Sequence, residues 1–207
     1  MVNIAVLVSG GGTNLQALID AQQAGRFSGG RICTVISSRP DAYALERAVK
    51  AGIPHIVLAR RQFASPEDFD HALAAALRQA GADLVVLAGF LSILGREVLE
   101  SFPNRILNVH PSLIPSFCGD GYYGLKVHEA ALKAGVRVTG ATVHFVNEVT
   151  DGGAIILQKA VEVKQDDTPE TLQRRVMEQA EWKLLPEAVA LFCEGRLKAE
   201  GGKVRIL

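Results

Sequence analysis

Short apolar segments alternate with helical segments along the first half of the chain. Apolar runs of strand length cover residues 3–8, 31–37, 54–58, 83–88 and 105–110. Helical spacing or composition covers residues 15–23, 43–51, 66–80 and 96–101. Runs without polar alternation are typical of strands buried on both faces. The alternation therefore predicts an α/β fold, Rossmann-like, with an open, mostly parallel sheet and helices on both faces.

The pattern changes after residue 110. A loop rich in proline and glycine fills residues 111–124, and a helix is predicted over 126–134. Strand-like runs at 139–146 and 154–163 flank a polar turn, which predicts an antiparallel C-terminal extension of the sheet. A last helix is predicted over 169–192, with Thr168 as N-cap, Pro169 in the first position and a kink or division at Pro186. With no repeat or linker, residues 1–207 are expected to form a single domain.

Composition narrows the classes of partner. The 22 basic and 22 acidic residues cancel, so charge gives no reason to expect a nucleic acid or a membrane as partner. Three cysteines lie far apart in the sequence, which suits reduced thiols in a cytoplasmic protein and indicates no metal site. The apolar start of the chain enters a glycine turn directly, so we expect a first strand, not a signal peptide. No apolar run approaches the ~20 residues of a membrane-spanning helix.

A glycine loop follows the first predicted strand and precedes the first predicted helix. Its residues are Ser9, Gly10, Gly11, Gly12, Thr13 and Asn14. Backbone N–H groups at such a helix start favour an anion. The loop lacks the third glycine of a dinucleotide fingerprint and the lysine of a triphosphate loop, so a single phosphate is the expected ligand. A tight structural turn is the alternative.

A second candidate site lies at the end of the fifth predicted strand. Asn108 and His110 are two positions apart in a strand, so they share one face. Pro111 restricts His110 to an extended backbone. An amide donor beside an imidazole suits a tetrahedral intermediate, because asparagine can stabilise an oxyanion and histidine can move a proton near neutral pH. The alternative is a histidine with a structural role.

Asp151 occupies the polar turn between the two last predicted strands, in the sequence Asp151-Gly152-Gly153. Asp-Gly is a common turn dipeptide, and a turn is the simplest interpretation. If the carboxylate approached His110, it would orient the imidazole and raise its pKa. His144 alternates within a predicted strand, from which it could support such a site.

Together these segments resemble the folate-dependent formyltransferases, from about residue 3 to residue 198. The resemblance rests on residues 6–16, 87–90, 107–115, 140–146 and 151–153. The Asn-x-His-Pro-Ser block and the distant Asp-Gly-Gly block are typical of the whole family. The Ser-Gly-Gly-Gly-Thr-Asn-Leu-Gln start resembles the branch that acts on glycinamide ribonucleotide.

The resemblance implies formyl transfer from 10-formyltetrahydrofolate, as co-substrate, to the amine of glycinamide ribonucleotide in de novo purine biosynthesis. It implies direct transfer without a metal, by a monomer or homodimer. Asn108 would stabilise the oxyanion, His110 would assist it and transfer protons, and Asp151 would tune His110 and help to remove the amine proton.

The resemblance also implies binding residues. Those expected at the substrate phosphate and ribose are Gly11, Gly12, Thr13, Asn14 and Glu181. Those expected at the folate, besides Asn108, are Phe90, Leu91, Ser92, Ile93, Leu94, Phe145, Val146, Asn147 and Glu148. The bond equivalent to Ile114–Pro115 can be cis in the family. Ser92 and Pro66 stand where members carry arginines, which puts charge contacts with the folate's glutamate tail in question.

Three other functions are compatible with parts of the pattern. A formyltetrahydrofolate hydrolase would share Asn108, His110 and Asp151, but those enzymes carry an extra N-terminal domain. A methionyl-tRNA formyltransferase would carry a further C-terminal domain, and the zero net charge does not favour tRNA. A nucleotide-binding module or oxidoreductase would need the missing glycine and an acidic residue after the second strand, where Ser37, Ser38 and Arg39 stand.

Overall fold

A computed structural model describes all residues from 1 to 207. The sheet has seven strands, hydrogen-bonded in the order β3-β2-β1-β4-β5-β6-β7, and a separate hairpin pairs β8 with β9. The chain divides into two compact units, residues 1–107 and 108–207, and strand β5, Ile106–His110, contains the division. This arrangement confirms the predicted mostly parallel sheet with helices.

The first unit contains parallel strands and the helices that connect them. The strands are β1 Val2–Val8, β2 Gly30–Ser37, β3 His55–Val57 and β4 Leu84–Leu87. The helices are α1 Thr13–Gln23, α2 Ala44–Lys50, α3 Pro66–Gln79 and α4 Arg96–Ser101, with a short 3₁₀ turn at Arg60–Gln62. β1 pairs in parallel with β2 and β4, and β2 pairs in parallel with β3.

Burial explains why the strands of this unit lack polar alternation. Every residue of β4 is buried, and so are the last five residues of β1. Side chains on both faces of these strands are therefore removed from water, and each face needs apolar residues. The carboxyl ends of β1 and β4 carry the glycine loop and the stretch at residues 90–94.

The second unit begins within β5 and continues with α5 Leu125–Lys133, β6 Val138–Phe145 and β7 Ile155–Glu162. The two strands are antiparallel, as predicted, and the turn between them holds Asp151. The peptide bond between Ile114 and Pro115 is cis. Helices α6 Pro169–Val176 and α7 Trp182–Cys193 follow, and α7 packs on β6 and β7.

The predicted long helix is divided, but at a different place from the one predicted. Thr168 caps α6 by accepting a hydrogen bond from the Thr171 N–H, and Pro169 takes the first position, which confirms the predicted start. The winding changes at a π-helical segment, Met177–Glu181, and Pro186 lies inside α7. Pro186 has no N–H to donate to the carbonyl one turn earlier. The π-helical segment, whose turns are wider than those of an α-helix, lies on the N-terminal side of that carbonyl.

The end of the chain forms a hairpin that the sequence did not lead us to predict. β8 Leu197–Glu200 and β9 Lys203–Ile206 pair around Gly201 and Gly202, which both have positive φ. The strands are short and mostly exposed, so they show no apolar alternation that would have identified them. No helix in the structure combines the length and the apolar character needed to cross a bilayer.

Candidate active site

Asn108, His110 and Asp151 meet in the second unit. Asn108 and His110 project from β5, and His110 is only 4% exposed. Nδ1 of His110 lies 3.4 Å from a carboxylate oxygen of Asp151. Nδ2 of Asn108 lies 3.4 Å from the other carboxylate oxygen. The structure thus brings together three side chains that the sequence placed on two separate segments.

The turn that carries Asp151 has a backbone conformation that few residue types can adopt. Asp151 has a φ of 54°, a left-handed conformation that aspartate and asparagine adopt more readily than most residues. A Cβ atom on Gly153 would lie 1.7 Å from the Phe145 carbonyl oxygen, so only glycine fits there. Glycine is therefore required at position 153 of the turn, and the turn directs the Asp151 carboxylate towards His110.

The Asp151 carboxylate is held in its ionised form. Burial favours the neutral acid, but the adjacent imidazole of His144, the hydrogen bond from the Gly119 N–H and the adjacent imidazole of His110 outweigh burial. The net effect lowers the pKa of Asp151 below its ordinary value. The Gly119 N–H donates to the carboxylate at 2.9 Å. A negative charge therefore stands next to the imidazole of His110 at neutral pH.

His110 is held neutral, with a defined tautomer. Its Nε2 lies 2.8 Å from the Phe117 carbonyl oxygen, which can only accept, so Nε2 carries the proton. Its Nδ1 then presents a lone pair on the side of Asp151. Burial lowers the pKa of His110, against the raising effects of the Phe117 carbonyl and of Asp151. A proton taken up at Nδ1 would be stabilised by the adjacent carboxylate.

His144 orients the amide of Asn108. Nδ1 of His144 donates to the Phe145 carbonyl at 2.8 Å, so its Nε2 is an acceptor. Asn108 donates an N–H to that Nε2 at 3.1 Å. The amide nitrogen of Asn108 therefore faces His144 and Asp151. Alternation along β6 suggested a supporting place for His144 but not its contacts, because those depend on the tertiary fold.

The glycine loop lies in the first unit, at the carboxyl end of β1. Gly12 has a φ of 69°, and a Cβ atom there would lie 2.6 Å from the Cβ of Ala44. Arg47 of α2 donates to the Gly11 carbonyl at 2.8 Å and to the side chain of Gln16. Because that carbonyl is bound by Arg47, the conformation of the loop is supported by a side chain that sequence reasoning missed.

The stretches expected to contact folate differ in exposure. In the first unit, Leu91 and Ile93 are 61% and 82% exposed, which is unusual for large apolar side chains and suits a ligand surface. The Leu91 N–H donates to the Ser9 hydroxyl at 2.9 Å, so this stretch is attached to the end of β1. In the second unit, Phe145 is buried while Asn147 and Glu148 are exposed.

Glu181 is the last residue of the π-helical segment, and it is only 6% exposed. π-helical turns are rare but occur frequently at functional sites, which supports Glu181 as a candidate binding residue. No group of three or more His, Cys, Asp or Glu side chains is arranged to hold a metal ion. The chemistry that the second unit offers is thus a neutral imidazole, an ionised carboxylate and an oriented amide.

Comparison with known proteins gives a consistent result. The profile of the family described as formyl transferase matches residues 2–189. The chain is 43% identical to the phosphoribosylglycinamide formyltransferase of Haemophilus influenzae, over 96% of this chain and 90% of the relative. It is 44% identical to the trifunctional purine biosynthetic protein adenosine-3 of Gallus gallus, over 98% of this chain but 20% of that protein.

A solved structure extends the likeness to three dimensions. Glycinamide ribonucleotide transformylase 1 from Symbiobacterium toebii superposes with a TM-score of 0.94 and is 49% identical, covering 100% of this chain and 94% of the other. The family match extends over far more than half of the chain, and the similarity is close to full-length. This protein belongs to the formyl transferase family.

Proposed function

We propose that this enzyme transfers the formyl group of 10-formyltetrahydrofolate to the amine of glycinamide ribonucleotide in purine biosynthesis. The observation that carries the proposal is the near-full-length similarity, at 43% and 49% identity, to proteins named for this reaction. The cluster of Asn108, His110 and Asp151 supports it independently, because it supplies the groups that formyl transfer to an amine requires.

The reaction joins the amine nitrogen to the formyl carbon and breaks the bond between that carbon and N10 of the folate. A tetrahedral intermediate with an oxyanion lies between the two steps. The amine must lose a proton and N10 must gain one, so the net proton change is zero. The proposed chemistry needs an oxyanion donor and a proton carrier, and no metal ion.

We assign the oxyanion to Asn108. One of its N–H groups makes a firm 3.1 Å contact with His144, whereas the contact with Asp151 is long, at 3.4 Å. The second N–H is the one available to the oxyanion, because its present hydrogen bond with Asp151 is weak at that length. A donor already oriented by its neighbour needs no reorganisation during the reaction.

His110 and Asp151 carry the proton in this proposal. Neutral His110 accepts at Nδ1, and the Asp151 carboxylate stabilises the resulting imidazolium. The proton then leaves Nδ1 for N10 of the departing folate. The Phe117 carbonyl keeps Nε2 protonated throughout, so the proton moves through one nitrogen.

The remaining assignments concern binding. We propose that Gly11, Gly12, Thr13 and Asn14 bind the phosphate through the start of α1, which is supported by the left-handed Gly12 and the free space above Gly11. Glu181 would bind the ribose hydroxyls. The residues proposed to contact folate are Phe90, Leu91, Ser92, Ile93, Leu94, Asn108, Phe145, Val146, Asn147 and Glu148.

We also infer that residues 1–207 form one formyltransferase domain that acts in the cytoplasm as a monomer or homodimer. The family match supports a single domain, since it runs through the division at residue 107 without interruption. The three cysteines are unpaired, which suits a reducing compartment.

A folate turnover assay at neutral pH tests whether glycinamide ribonucleotide is the formyl acceptor. Tetrahydrofolate release from 10-formyltetrahydrofolate should depend on added glycinamide ribonucleotide and should match its formylation one to one. Release at the same rate without the ribonucleotide would indicate hydrolysis. No release in either condition would refute the proposed function.

Replacing Asp151 with asparagine should lower kcat by about 100-fold or more, which is the usual contribution of a proton-transfer partner. KM for both substrates should change less than about threefold. Asparagine tolerates the left-handed backbone and keeps an oxygen for the Gly119 N–H, so the melting temperature should be preserved. Asp166→Asn, at an exposed position of the same unit, is the control. A folded Asp151→Asn enzyme with near-normal kcat would remove Asp151 from the mechanism.

The phosphate assignment is tested by Asn14→Ala. Losing one donor to a charged group should raise KM for glycinamide ribonucleotide about tenfold or more, while KM for the folate changes less than about twofold. Asn14→Asp, of nearly the same shape, should raise the KM for glycinamide ribonucleotide more than Asn14→Ala does, because its charge repels the phosphate. Equal losses for both substrates in a folded variant would contradict the assignment.

A further inference from the structure

The glycine loop contains three successive glycines, Gly10, Gly11 and Gly12, directly before α1. Glycine loses more conformational freedom on folding than any other residue, so three in a row form a segment with many accessible conformations. A Cβ atom on Gly10 or Gly11 would meet no other atom within 4 Å, so packing does not restrict these two residues. A single loop conformation therefore needs hydrogen bonds from a neighbouring element.

Helix α2 supplies hydrogen bonds to two successive carbonyl groups of the loop. The N–H of Ala44, the first residue of α2, donates to the Gly10 carbonyl at 3.1 Å. Three residues later, Nε of Arg47 donates to the Gly11 carbonyl at 2.8 Å. Both carbonyl oxygens are therefore held towards α2.

The direction of each carbonyl determines the direction of the N–H in the same peptide unit. The peptide bonds between Gly10 and Gly11 and between Gly11 and Gly12 are trans, so each N–H points away from the carbonyl oxygen of its own unit. The N–H groups of Gly11 and Gly12 thus point away from α2, and no backbone carbonyl of the first unit accepts from either of them. Successive N–H groups on one side of a turn form a concave site for an anion.

The side chain of Arg47 is itself held by groups of α1 and α2. A terminal nitrogen of its guanidinium donates to the side-chain oxygen of Gln16 at 2.9 Å, and Gln16 donates to Asp20 at 2.8 Å. The guanidinium also lies over the ring of Tyr43, 5.0 Å from its centre. One planar group with several donors therefore joins the glycine loop to both helices, which suits arginine and not lysine.

We propose that Arg47 is a positioning residue for the substrate phosphate: it holds the Gly11 carbonyl towards α2 and so directs the Gly12 N–H at the phosphate. This inference rests on the proposed function, which supplies a phosphorylated substrate. Arg47 acts through the backbone and not by contact with the ligand. Without it, the peptide unit between Gly11 and Gly12 can rotate, and binding of the phosphate must then also order the loop.

The size of the effect follows from the hydrogen bond that is lost. A charged donor contributes more than a neutral one, but Arg47 is partly exposed, which reduces its contribution. Loss of the guanidinium should therefore raise the KM for glycinamide ribonucleotide by about fivefold to tenfold. Lysine keeps the charge but cannot hold the Gly11 carbonyl and Gln16 in one fixed geometry, so Arg47→Lys should have nearly the same effect.

The test measures steady-state kinetics of Arg47→Gln and Arg47→Lys. Both variants should raise the KM for glycinamide ribonucleotide by about fivefold to tenfold, with kcat and the KM for the folate within about twofold of the wild type. Lys50→Gln is the control for loss of charge, because Lys50 lies over the same Tyr43 ring, at 5.6 Å, and should leave all three constants unchanged.

Two kinetic outcomes would overturn the proposal. An Arg47→Lys enzyme with the wild-type KM for glycinamide ribonucleotide would show that the positive charge alone attracts the phosphate. Equal increases in KM for both substrates, or a lowered melting temperature with a matching loss of kcat, would show a general effect on the fold.

Equilibrium binding separates this inference from the proposed function. Calorimetry with ribose 5-phosphate measures phosphate binding without any formyl transfer. If transfer to glycinamide ribonucleotide occurs but both Arg47 variants bind ribose 5-phosphate as tightly as the wild type, Arg47 has no positioning role. If both variants bind it about fivefold to tenfold more weakly while no transfer occurs, the role of Arg47 stands and the reaction assignment fails.

Discussion

The buried, ionised carboxylate of Asp151 is the constraint on which the candidate active site depends. A carboxylate in that environment is unstable unless donors and positive charge compensate for lost solvation. The compensation comes from the N–H groups of Gly119 and Asn108 and from the adjacent imidazoles of His110 and His144, which favour the charged form of the acid. The same carboxylate stands beside Nδ1 of His110 and fixes the position of the loop at Gly119.

Two turns, at Asp151–Gly153 and at Gly12, have backbone conformations that place the functional groups of the two candidate sites. Gly153 lies too close to the Phe145 carbonyl for any side chain, and Asp151 takes a left-handed conformation beside it. Gly12 plays the corresponding part in the glycine loop, where its positive φ starts α1 against Ala44. In both turns the glycines allow the required backbone conformation, and that conformation determines where the neighbouring functional groups point.

Much of the fold was predictable because the sheet is buried on both faces, and such strands appear as uninterrupted apolar runs, as in β4. The strand-end positions of Asn108 and His110 followed from the two-residue period of a strand. The approach of Asp151, the support from Arg47 and the contacts of His144 were not predictable from local pattern, because each depends on segments distant in sequence. The terminal hairpin lacked any apolar signal, and the π-helical segment ahead of Pro186 depends on hydrogen bonding that composition does not reveal.

The most direct test of the account is an NMR titration of His110 in the wild type and in Asp151→Asn. Burial should keep the pKa of His110 below its ordinary value in the wild type, despite the raising effect of Asp151. A negative carboxylate favours the imidazolium, so its removal should lower the pKa of His110 further. Nε2 should remain the protonated nitrogen in both. A pKa that is unchanged or raised in the variant would show that Asp151 does not stabilise the charged histidine, and would contradict the central claim.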